Sequence, residues 1–413
     1  MGIAAFNRLA LLVSVFLSLG AAVGGCASDR QVPQALPPVL PPTVGRTVRE
    51  KVVYSFKGGN DGAFPVASLL NVHGTLYGTT HDGGRCLAGT VFSITKGAET
   101  VMHAFCGTDG ATPDANVIDV GGVLYGTTQG GGADSRGTVF KITASGSETV
   151  IYSFKGHAED GAFPEAPLID VDGTLYGTTT QGGRGNSRYG EGTAYSVTAS
   201  GKEQMLYAFG RARGDYPTRA LVYVNSLLYG TTPSGGAYTN GLSGGAAFEL
   251  SKSGSEKTLY SFAGSNRAGG TPESPLIEVG HLFYGTTQRG GVNRIGTVFS
   301  MTTSGKVKTL YSFAGGSDGA YPIGPLLDVK GVLYGTTKNG GIGGNGTVFS
   351  ITTSGKESVV YRFGGPSAND GAVPEAGLID VNGTLYGTTV AGGDGTGCYG
   401  SYAGCGTVFS LDL

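Results

Sequence analysis

Short apolar runs alternate with glycine-rich turns along most of this 413-residue chain. The unit at 167–209 shows the pattern, with Pro-Leu-Ile-Asp-Val, the turn Asp172-Gly173, and Thr-Leu-Tyr-Gly-Thr-Thr-Thr. A glycine-rich loop follows, then Thr-Ala-Tyr-Ser-Val-Thr, a turn at Ser200-Gly201, and Glu-Gln-Met-Leu-Tyr-Ala-Phe. Because Asp and Gly tolerate the positive φ of tight turns, the unit predicts four antiparallel strands, named a, b, c and d in chain order.

The phrase Tyr-Gly-Thr-Thr, which falls in strand b, recurs at a period near fifty residues, starting at Tyr77, Tyr125, Tyr176, Tyr229, Tyr284, Tyr334 and Tyr386. Such self-similarity indicates a repeat architecture. A β-solenoid would need a much shorter coil. Four strands per unit and seven units therefore predict an all-β, seven-bladed β-propeller of four-stranded antiparallel blades over 51–413.

The repeat is out of phase with the ends of the chain. It begins with a lone strand d, Lys-Val-Val-Tyr-Ser-Phe at 51–56, and finishes with a lone strand c, Gly-Thr-Val-Phe-Ser-Leu at 406–411. An unpaired sheet edge invites aggregation. We therefore expect the N-terminal strand to complete the last blade and close the ring.

Residues 1–25 resemble a signal peptide of the lipoprotein type. The apolar stretch ends at Val23-Gly24-Gly25-Cys26, which is similar to a bacterial lipobox, and this resemblance implies lipidation of Cys26. An ordinary signal peptide with a coincidental cysteine is the alternative. Proline-dense residues within 26–50 predict a semi-rigid tether. Ala27 after the cysteine favours the outer membrane, so we expect an exported protein anchored to the cell envelope.

The net charge is −2, and charged residues make up 14% of the chain. The sequence shows no basic stripe, which argues against nucleic-acid binding. We expect a monomer. Among the three possible pairings of the four remaining cysteines, loop positions favour Cys86 with Cys106 and Cys398 with Cys405. A four-thiolate metal site is the alternative, but the Cys-x-x-Cys spacing of zinc sites is lacking. The sequence predicts no metal and no cofactor.

Two repeated loops invite a functional interpretation. Asp-Gly-Ala-x-Pro, between strand d and the next strand a, suggests carboxylates for calcium or sugar, but an Asp that caps its own turn explains it as well. Thr-Thr-x-x-Gly-Gly, after strand b, superficially resembles a phosphate loop, but it precedes a strand instead of a helix. The five histidines occupy unrelated repeat positions and show no metal-ligand or relay spacing.

Arginine departs most from the repeat. The third to fifth blades carry arginines in the loops of one face, and two tyrosines lie beside them. We predict that these residues bind an anionic ligand, such as an acidic glycan: Arg184, Arg188, Tyr189, Arg211, Arg213, Tyr238, Arg267, Arg289 and Arg294. The alternative is a solvated rim paired with Glu191, Asp215 and Glu273.

Gly-Thr-Leu-Tyr-Gly-Thr-Thr, Gly-Thr-Val-Phe-Ser-Ile-Thr and Tyr-Ser-Phe recur in order over about 51–413. They resemble the GloVer repeat of bacterial "choice-of-anchor" tandem-repeat proteins. The resemblance implies a propeller with an anchor and carries over no catalytic residue. We expect a lipid-anchored envelope module that binds a glycan or a protein and is not an enzyme. The alternative is a lyase, lactonase or glycoside hydrolase at the mouth of the propeller channel.

Overall fold

The computed structural model describes residues 48–156, 158–184, 190–237, 244–264, 269–398 and 403–413. These residues form an all-β propeller of seven four-stranded antiparallel blades, as the repeat predicts. In the order a, b, c, d the strands are Leu70–Val72, Thr75–Thr80, Thr90–Thr95 and Ala98–Ala104 in blade 1; Ile118–Val120, Val123–Thr128, Thr138–Thr143 and Glu148–Ser153 in blade 2; Ile169–Val171, Thr174–Thr179, Thr193–Thr198 and Glu203–Ala208 in blade 3; Val222–Val224, Leu227–Thr232, Ala246–Ser251 and Glu256–Ser261 in blade 4; Ile277–Val279, Leu282–Thr287, Thr297–Thr302 and Val307–Ser312 in blade 5; Leu327–Val329, Val332–Asn339, Thr347–Thr352 and Glu357–Arg362 in blade 6; and Ile379–Val381, Thr384–Thr389, Thr407–Asp412 and Glu50–Ser55 in blade 7.

Strand a is the innermost strand of each blade. The a strand of blade 1 contacts the a strands of blades 2 and 7. Strand d is therefore the outer strand. We call the face that carries the b–c loops and the d–a connections the upper face; the other face carries the tight a–b and c–d turns. The a–b turn of blade 3 has the expected geometry, with φ of 55° at Asp172 and 79° at Gly173.

Each residue of Tyr-Gly-Thr-Thr has a structural reason, shown here by blade 1. A side chain at Gly78 would place its Cβ 2.5 Å from Cζ of Phe92, so only glycine fits beneath this ring of strand c. The Thr79 hydroxyl donates to the carbonyl of Ala115 in the next blade at 3.1 Å. The Thr80 hydroxyl lies 2.8 Å from that of Thr90 on strand c. The phrase thus specifies packing within a blade and bonding between blades.

The core is divided among the interfaces between blades. Rings from strand c and from the residue after strand d stack edge to face, as in Phe105 with Phe140 at 5.1 Å and Phe209 with Phe248 at 5.0 Å. These rings are fully buried. Each interface is thus a small core of its own, so the ring reaches this size by repetition.

The predicted closure of the ring is confirmed. Glu50–Ser55 pairs antiparallel with Thr407–Asp412, with Glu50 opposite Leu411 and Ser55 opposite Thr407. Phe56 then contacts Phe92 of blade 1 at 5.0 Å between ring centroids. The first and last strands of the propeller therefore share one sheet.

Both predicted disulfides are confirmed. Cys86 in the b–c loop of blade 1 bonds Cys106 in the following d–a connection, with 5.1 Å between Cα atoms. Cys398 bonds Cys405 within the b–c loop of blade 7, with 5.5 Å between Cα atoms. The Cys405 carbonyl also accepts a hydrogen bond from the Phe64 amide at 2.9 Å, so this loop contacts blade 1 at the closure.

Helical structure in the described residues comprises the short 3-10 turns Gly59–Asp61, Ile342–Gly344 and Pro366–Ala368. Short extra pairings join Gly161–Ala162 to Gln181–Gly182, Gly371–Ala372 to Ala391–Gly392, and Ala320–Pro322 to strand b of blade 6. Among these same residues, the structure has no helix with the length and apolarity needed to cross a bilayer.

Candidate functional site

Two positions in each repeat lie around the upper end of the channel. One comes directly after the Tyr-Gly-Thr-Thr phrase of strand b. The other is the first or second residue after the repeated proline, shortly before strand a. The threonine bond described for Thr79 holds them together: it recurs between strand b and the segment before the next strand a at six interfaces, from Thr79, Thr127, Thr178, Thr231, Thr336 and Thr388.

Polar side chains at these positions form what we call the mouth ring. Its members are His81, Asp114, Gln129, Glu165, Thr180, Thr218, Arg219, Glu273, Gln288, Lys338 and Glu375. Unlike the threonines beneath them, they differ from blade to blade, and Val66, Ile323 and Val390 stand at equivalent positions elsewhere.

Neighbouring members of the mouth ring pair with one another, mostly across blade interfaces. His81 Nδ1 lies 2.6 Å from Asp114 Oδ1, and Gln129 Nε2 donates to Glu165 Oε1 at 2.7 Å. The other pairs are Arg219 with Glu273 at 3.6 Å, Gln288 with Glu273 at 3.3 Å, and Lys338 with Glu375 at 2.6 Å. Because a carboxylate only accepts hydrogen bonds, Nδ1 of His81 carries a proton.

Two members of the mouth ring have pKa values shifted by other members. The hydrogen bond to Asp114 raises the pKa of His81 against the effect of burial, and Glu375 of blade 7 adds to the rise. Burial raises the pKa of Glu165, the hydrogen bond from Gln129 opposes it, and Asp114 and Arg219 also act on it. Charged side chains from several blades thus act on one another at the mouth ring.

Two ring atoms have no protein partner although they are buried. They are Oγ1 of Thr218 and Nε of Arg219. Buried polar groups in folded proteins are normally hydrogen-bonded, so such atoms call for an explanation. At a channel mouth, hydrogen bonding to a ligand or to water supplies one.

Apart from the mouth ring, a pair of acidic side chains lies in the upper-face loops between blades 3 and 4. Asp215 and Glu191 are both buried. Burial raises the pKa of Asp215 to about 6, Glu191 adds to the rise, and Arg211 opposes it. This pair includes two of the acids that the sequence offered as partners for the predicted arginines.

The aspartates of Asp-Gly-Ala-x-Pro lie at the outer edge of the interfaces and cap their own connections. Asp61 accepts from the Tyr54 hydroxyl at 2.6 Å, and its other oxygen accepts from a backbone amide at the end of strand d. Three further interfaces share this arrangement, in Tyr152 with Asp160, Tyr311 with Asp318 and Tyr361 with Asp370. The geometry therefore fits the structural interpretation of this motif.

The predicted arginines that the structure describes contact different partners or are exposed. Arg184 pairs with Glu159 at 2.8 Å, and Arg213 reaches Glu256, which opens strand d of blade 4, at 3.1 Å. Arg211, Arg289 and Arg294 are exposed. Cys26, Arg188, Tyr189, Tyr238 and Arg267 lie outside the described residues. Anion binding on this arc stays a prediction.

Sequence reasoning missed the mouth ring because partners such as His81 and Asp114 are 33 residues apart and belong to different blades. A usable signal was present. The positions after Thr-Thr and after the repeated proline vary while the residues beside them repeat. Aligning the seven units and asking where polar residues replace one another points to this ring.

Three solved structures illustrate what this chain is similar to. Puromycin hydrolase matches with a TM-score of 0.50 and 10% identity over 80% of this chain and 50% of its own. Tricorn protease matches with a TM-score of 0.44 and 12% identity over 79% of this chain and 27% of its own. A Bacteroides uniformis protein, named provisionally as a 6-phosphogluconolactonase, gives 0.48 and 13% over 73% of this chain and 86% of its own.

This chain spans half of puromycin hydrolase and about a quarter of tricorn protease. At 10% identity the likeness to puromycin hydrolase concerns the fold alone and leaves the activity open. No curated protein matches the sequence. The model of the Gloeobacter/Verrucomicrobia repeat family matches residues 42–188 and 184–409, which together cover the propeller up to the middle of its last strand. The chain therefore belongs to the Gloeobacter/Verrucomicrobia repeat family.

Proposed function

We propose that this protein is a binding module of the bacterial cell envelope that holds a glycan at the mouth ring. The observation that carries the proposal is the convergence of donors and acceptors from neighbouring blades at the upper end of the channel. Sugar hydroxyls both donate and accept, and a ring that offers amide, imidazole, carboxylate and guanidinium groups matches them. Binding sites in β-propellers concentrate on such loops above a rigid scaffold.

The charge of the ring favours a neutral or weakly charged glycan. Its carboxylates, Asp114, Glu165, Glu273 and Glu375, each contact a donor already present in the ring. Arg219 contributes a buried Nε with no protein partner, which suits a single directed hydrogen bond. An acidic glycan bound by the outer-lying arginines is the competing prediction, and the experiment below distinguishes the two.

The lipid anchor is the second part of the proposal. The leader that precedes Cys26 supports it, and a tether rich in proline would hold the propeller away from the membrane. Replacing Cys26 by serine should abolish labelling by a fatty-acid analogue and release the protein from the membrane fraction. Unchanged labelling of Cys26→Ser would contradict the anchor.

An envelope enzyme is the alternative, and one contact favours it. His81 and Asp114 form a short acid–base pair, and Glu165 nearby has a raised pKa, as acid–base catalysts often do. In that case His81→Gln or Glu165→Gln would abolish turnover of a glycan while leaving its binding largely intact. A binding module would show no turnover in the parent protein.

The decisive experiment is a glycan-array screen, followed by calorimetry, of the parent protein and two variant sets. The mouth set is Glu165→Gln with Arg219→Ala; the matched control set is Arg184→Ala, Arg211→Ala and Arg213→Ala. We expect the mouth set to weaken binding about tenfold or more, since each lost hydrogen bond to a charged group is worth about 1.5–3 kcal/mol. Loss of binding in the arginine set alone would support the anionic ligand and contradict the mouth ring. Capture of proteins and no glycan would contradict the ligand class.

A further inference from the structure

The outer edge of five blade interfaces carries a recurring group of three side chains, which we call the outer triad. It contains an aromatic residue near the end of strand d, the aspartate of the d–a connection, and a glutamate at the first or second position of strand d of the next blade. Four triads begin with tyrosine: Tyr54–Asp61–Glu99, Tyr152–Asp160–Glu203, Tyr311–Asp318–Glu357 and Tyr361–Asp370–Glu50. Between blades 1 and 2 the triad is His103–Asp109–Glu148.

The substitution of histidine for tyrosine changes what this triad can bind. A phenol hydroxyl is a poor metal ligand at neutral pH, whereas an imidazole nitrogen is a good one. His103, Asp109 and Glu148 each offer a ligand atom, and these atoms lie within 4.8 Å of one another. Ligands around a tetrahedral zinc ion lie about 3.3 Å apart, given zinc–ligand distances of about 2.0 Å. His103 Nε2 and Asp109 Oδ2 are already 3.0 Å apart.

Neighbouring groups hold two of these ligands in place. Oδ1 of Asp109 accepts from the Cys106 amide at 2.8 Å, which leaves Oδ2 directed at the histidine. Cys106 is itself fixed by the disulfide to Cys86. The ring of His103 packs edge to face against Phe105 at 4.8 Å. Such supporting contacts orient metal ligands in known sites.

The third ligand is under-satisfied. Oε1 of Glu148 is buried and has no hydrogen-bond partner within the protein. A cation held between Glu148 and Asp109 would give this oxygen a partner.

We propose that His103, Asp109 and Glu148 form a binding site for a divalent transition-metal ion of the zinc class. One imidazole and two carboxylates suit zinc, whereas calcium and magnesium prefer six or more oxygen ligands. The side chains of His103 and Asp109 are 17% and 22% exposed, so water can reach the remaining coordination position. The site lies at the outer edge, apart from the mouth ring, and it stands independently of the proposed glycan binding.

The test is a titration of the purified full-length chain with zinc, after removal of metal by a chelator, using a chromogenic competitor to obtain stoichiometry and affinity. We expect one equivalent of zinc. The variant His103→Tyr restores the triad of the other blades, so it should fold, and it should weaken binding by at least about 100-fold, because even supporting partners of metal ligands are worth about 10–100-fold. His81→Gln removes another histidine that contacts aspartates, and it should leave zinc binding unchanged.

A gain-of-site variant makes the test independent of any loss of fold. Tyr152→His places an imidazole beside Asp160 and Glu203, and we expect a second equivalent of zinc. Titrations with calcium and manganese measure selectivity. No zinc bound by the parent chain, equal binding by His103→Tyr, or tighter calcium than zinc binding would overturn the proposal.

Discussion

The outer edge of the blade interfaces repeats the same side chains from blade to blade, whereas the side chains at the channel mouth differ. At the outer edge the same tyrosine, aspartate and glutamate recur at four interfaces, and histidine replaces only the tyrosine at a fifth. At the channel mouth, His81, Gln129, Gln288 and Lys338 occupy one equivalent position. Both ends use polar side chains, so polarity alone does not mark a functional site.

The difference follows from how the backbone is held. At the outer edge the aspartate side chain itself caps the d–a connection, so changing it would leave backbone amides without partners. At the mouth, the threonine hydroxyls of strand b donate to backbone carbonyls of the next blade. The backbone there does not depend on the side chains of the mouth ring. Those side chains can vary, and a ligand can select among them.

The largest expected effect comes from removing the N-terminal strand, which completes blade 7 and leads into the interface with blade 1. Deleting 51–56 should leave blade 7 without its outer strand and blade 1 without the Phe56 ring, because Glu50–Ser55 pairs with Thr407–Asp412. We expect aggregation or loss of cooperative unfolding, measured by size-exclusion chromatography and thermal circular dichroism. Deleting 34–39 in the tether is the control of equal length. A monomeric 51–56 deletion with an unchanged Tm would contradict the closure.

The disulfides provide a second, smaller test. Replacing Cys86 and Cys106 by serine should lower the free energy of unfolding by about 3 kcal/mol, and replacing Cys398 and Cys405 by about 2 kcal/mol, from the loop-closure entropy of 20- and 7-residue separations. Denaturant unfolding measures both losses. Mass spectrometry of the oxidised protein should show these two pairings, and crossed pairs would contradict the loop geometry.

The outer triads predict a pH dependence of stability. Burial, with the nearby aspartate, raises the pKa of Glu50, Glu148, Glu203 and Glu357 to about 7 and that of Glu99 to about 8, from an ordinary 4.5. Because the folded pKa is the higher one, their stabilisation is complete below 4.5 and is lost as pH rises through 7–8. We expect Tm, measured in the presence of EDTA, to fall between pH 4.5 and about pH 8.

Glutamine substitutions identify the groups responsible for that fall. Replacing all five glutamates by glutamine should flatten the decline in Tm. Glu256 opens strand d of blade 4 but pairs with Arg213 in place of an aspartate, so Glu256→Gln serves as the control and should leave the slope unchanged. An unaltered slope in the five-fold variant would show that other groups titrate.

The smallest expected effect concerns the middle of an interface, between its two polar ends. Tyr195 stands where other blades have phenylalanine, and its buried hydroxyl has no partner. Tyr195→Phe should raise the free energy of unfolding by about 1 kcal/mol, since an unsatisfied buried group costs about 1–3 kcal/mol. Phe140→Tyr, at the same strand position in blade 2, should lower it. Ligand binding that changes with Tyr195→Phe would indicate a role for this hydroxyl.

The architecture of the repeat could be predicted from the sequence, whereas the side-chain contacts between blades could not. Tyr77-Gly78-Thr79-Thr80 recurs seven times, and this repetition predicts the blades. The phase of the repeat relative to the chain ends predicts the closure, and the positions of the cysteines in the loops predict both disulfides. His81 and Asp114, or His103 and Glu148, meet because of ring geometry, and their spacing along the chain resembles no known motif. The arginines stood out by departing from the repeat, yet Arg184 and Arg213 are paired to glutamates that the sequence did not connect with them.

The most direct test of this account measures stability and ligand binding together on matched variants of the two ends. The mouth variant Glu165→Gln with Lys338→Ala should keep Tm within a degree or two and lose glycan binding. The outer variant Tyr311→Phe with Asp318→Asn should lower Tm by several degrees and bind the glycan as the parent does, because it removes a hydroxyl–carboxylate bond and weakens a backbone cap. The reverse pattern, binding lost at the outer edge and stability lost at the mouth, would contradict the division between architecture and function.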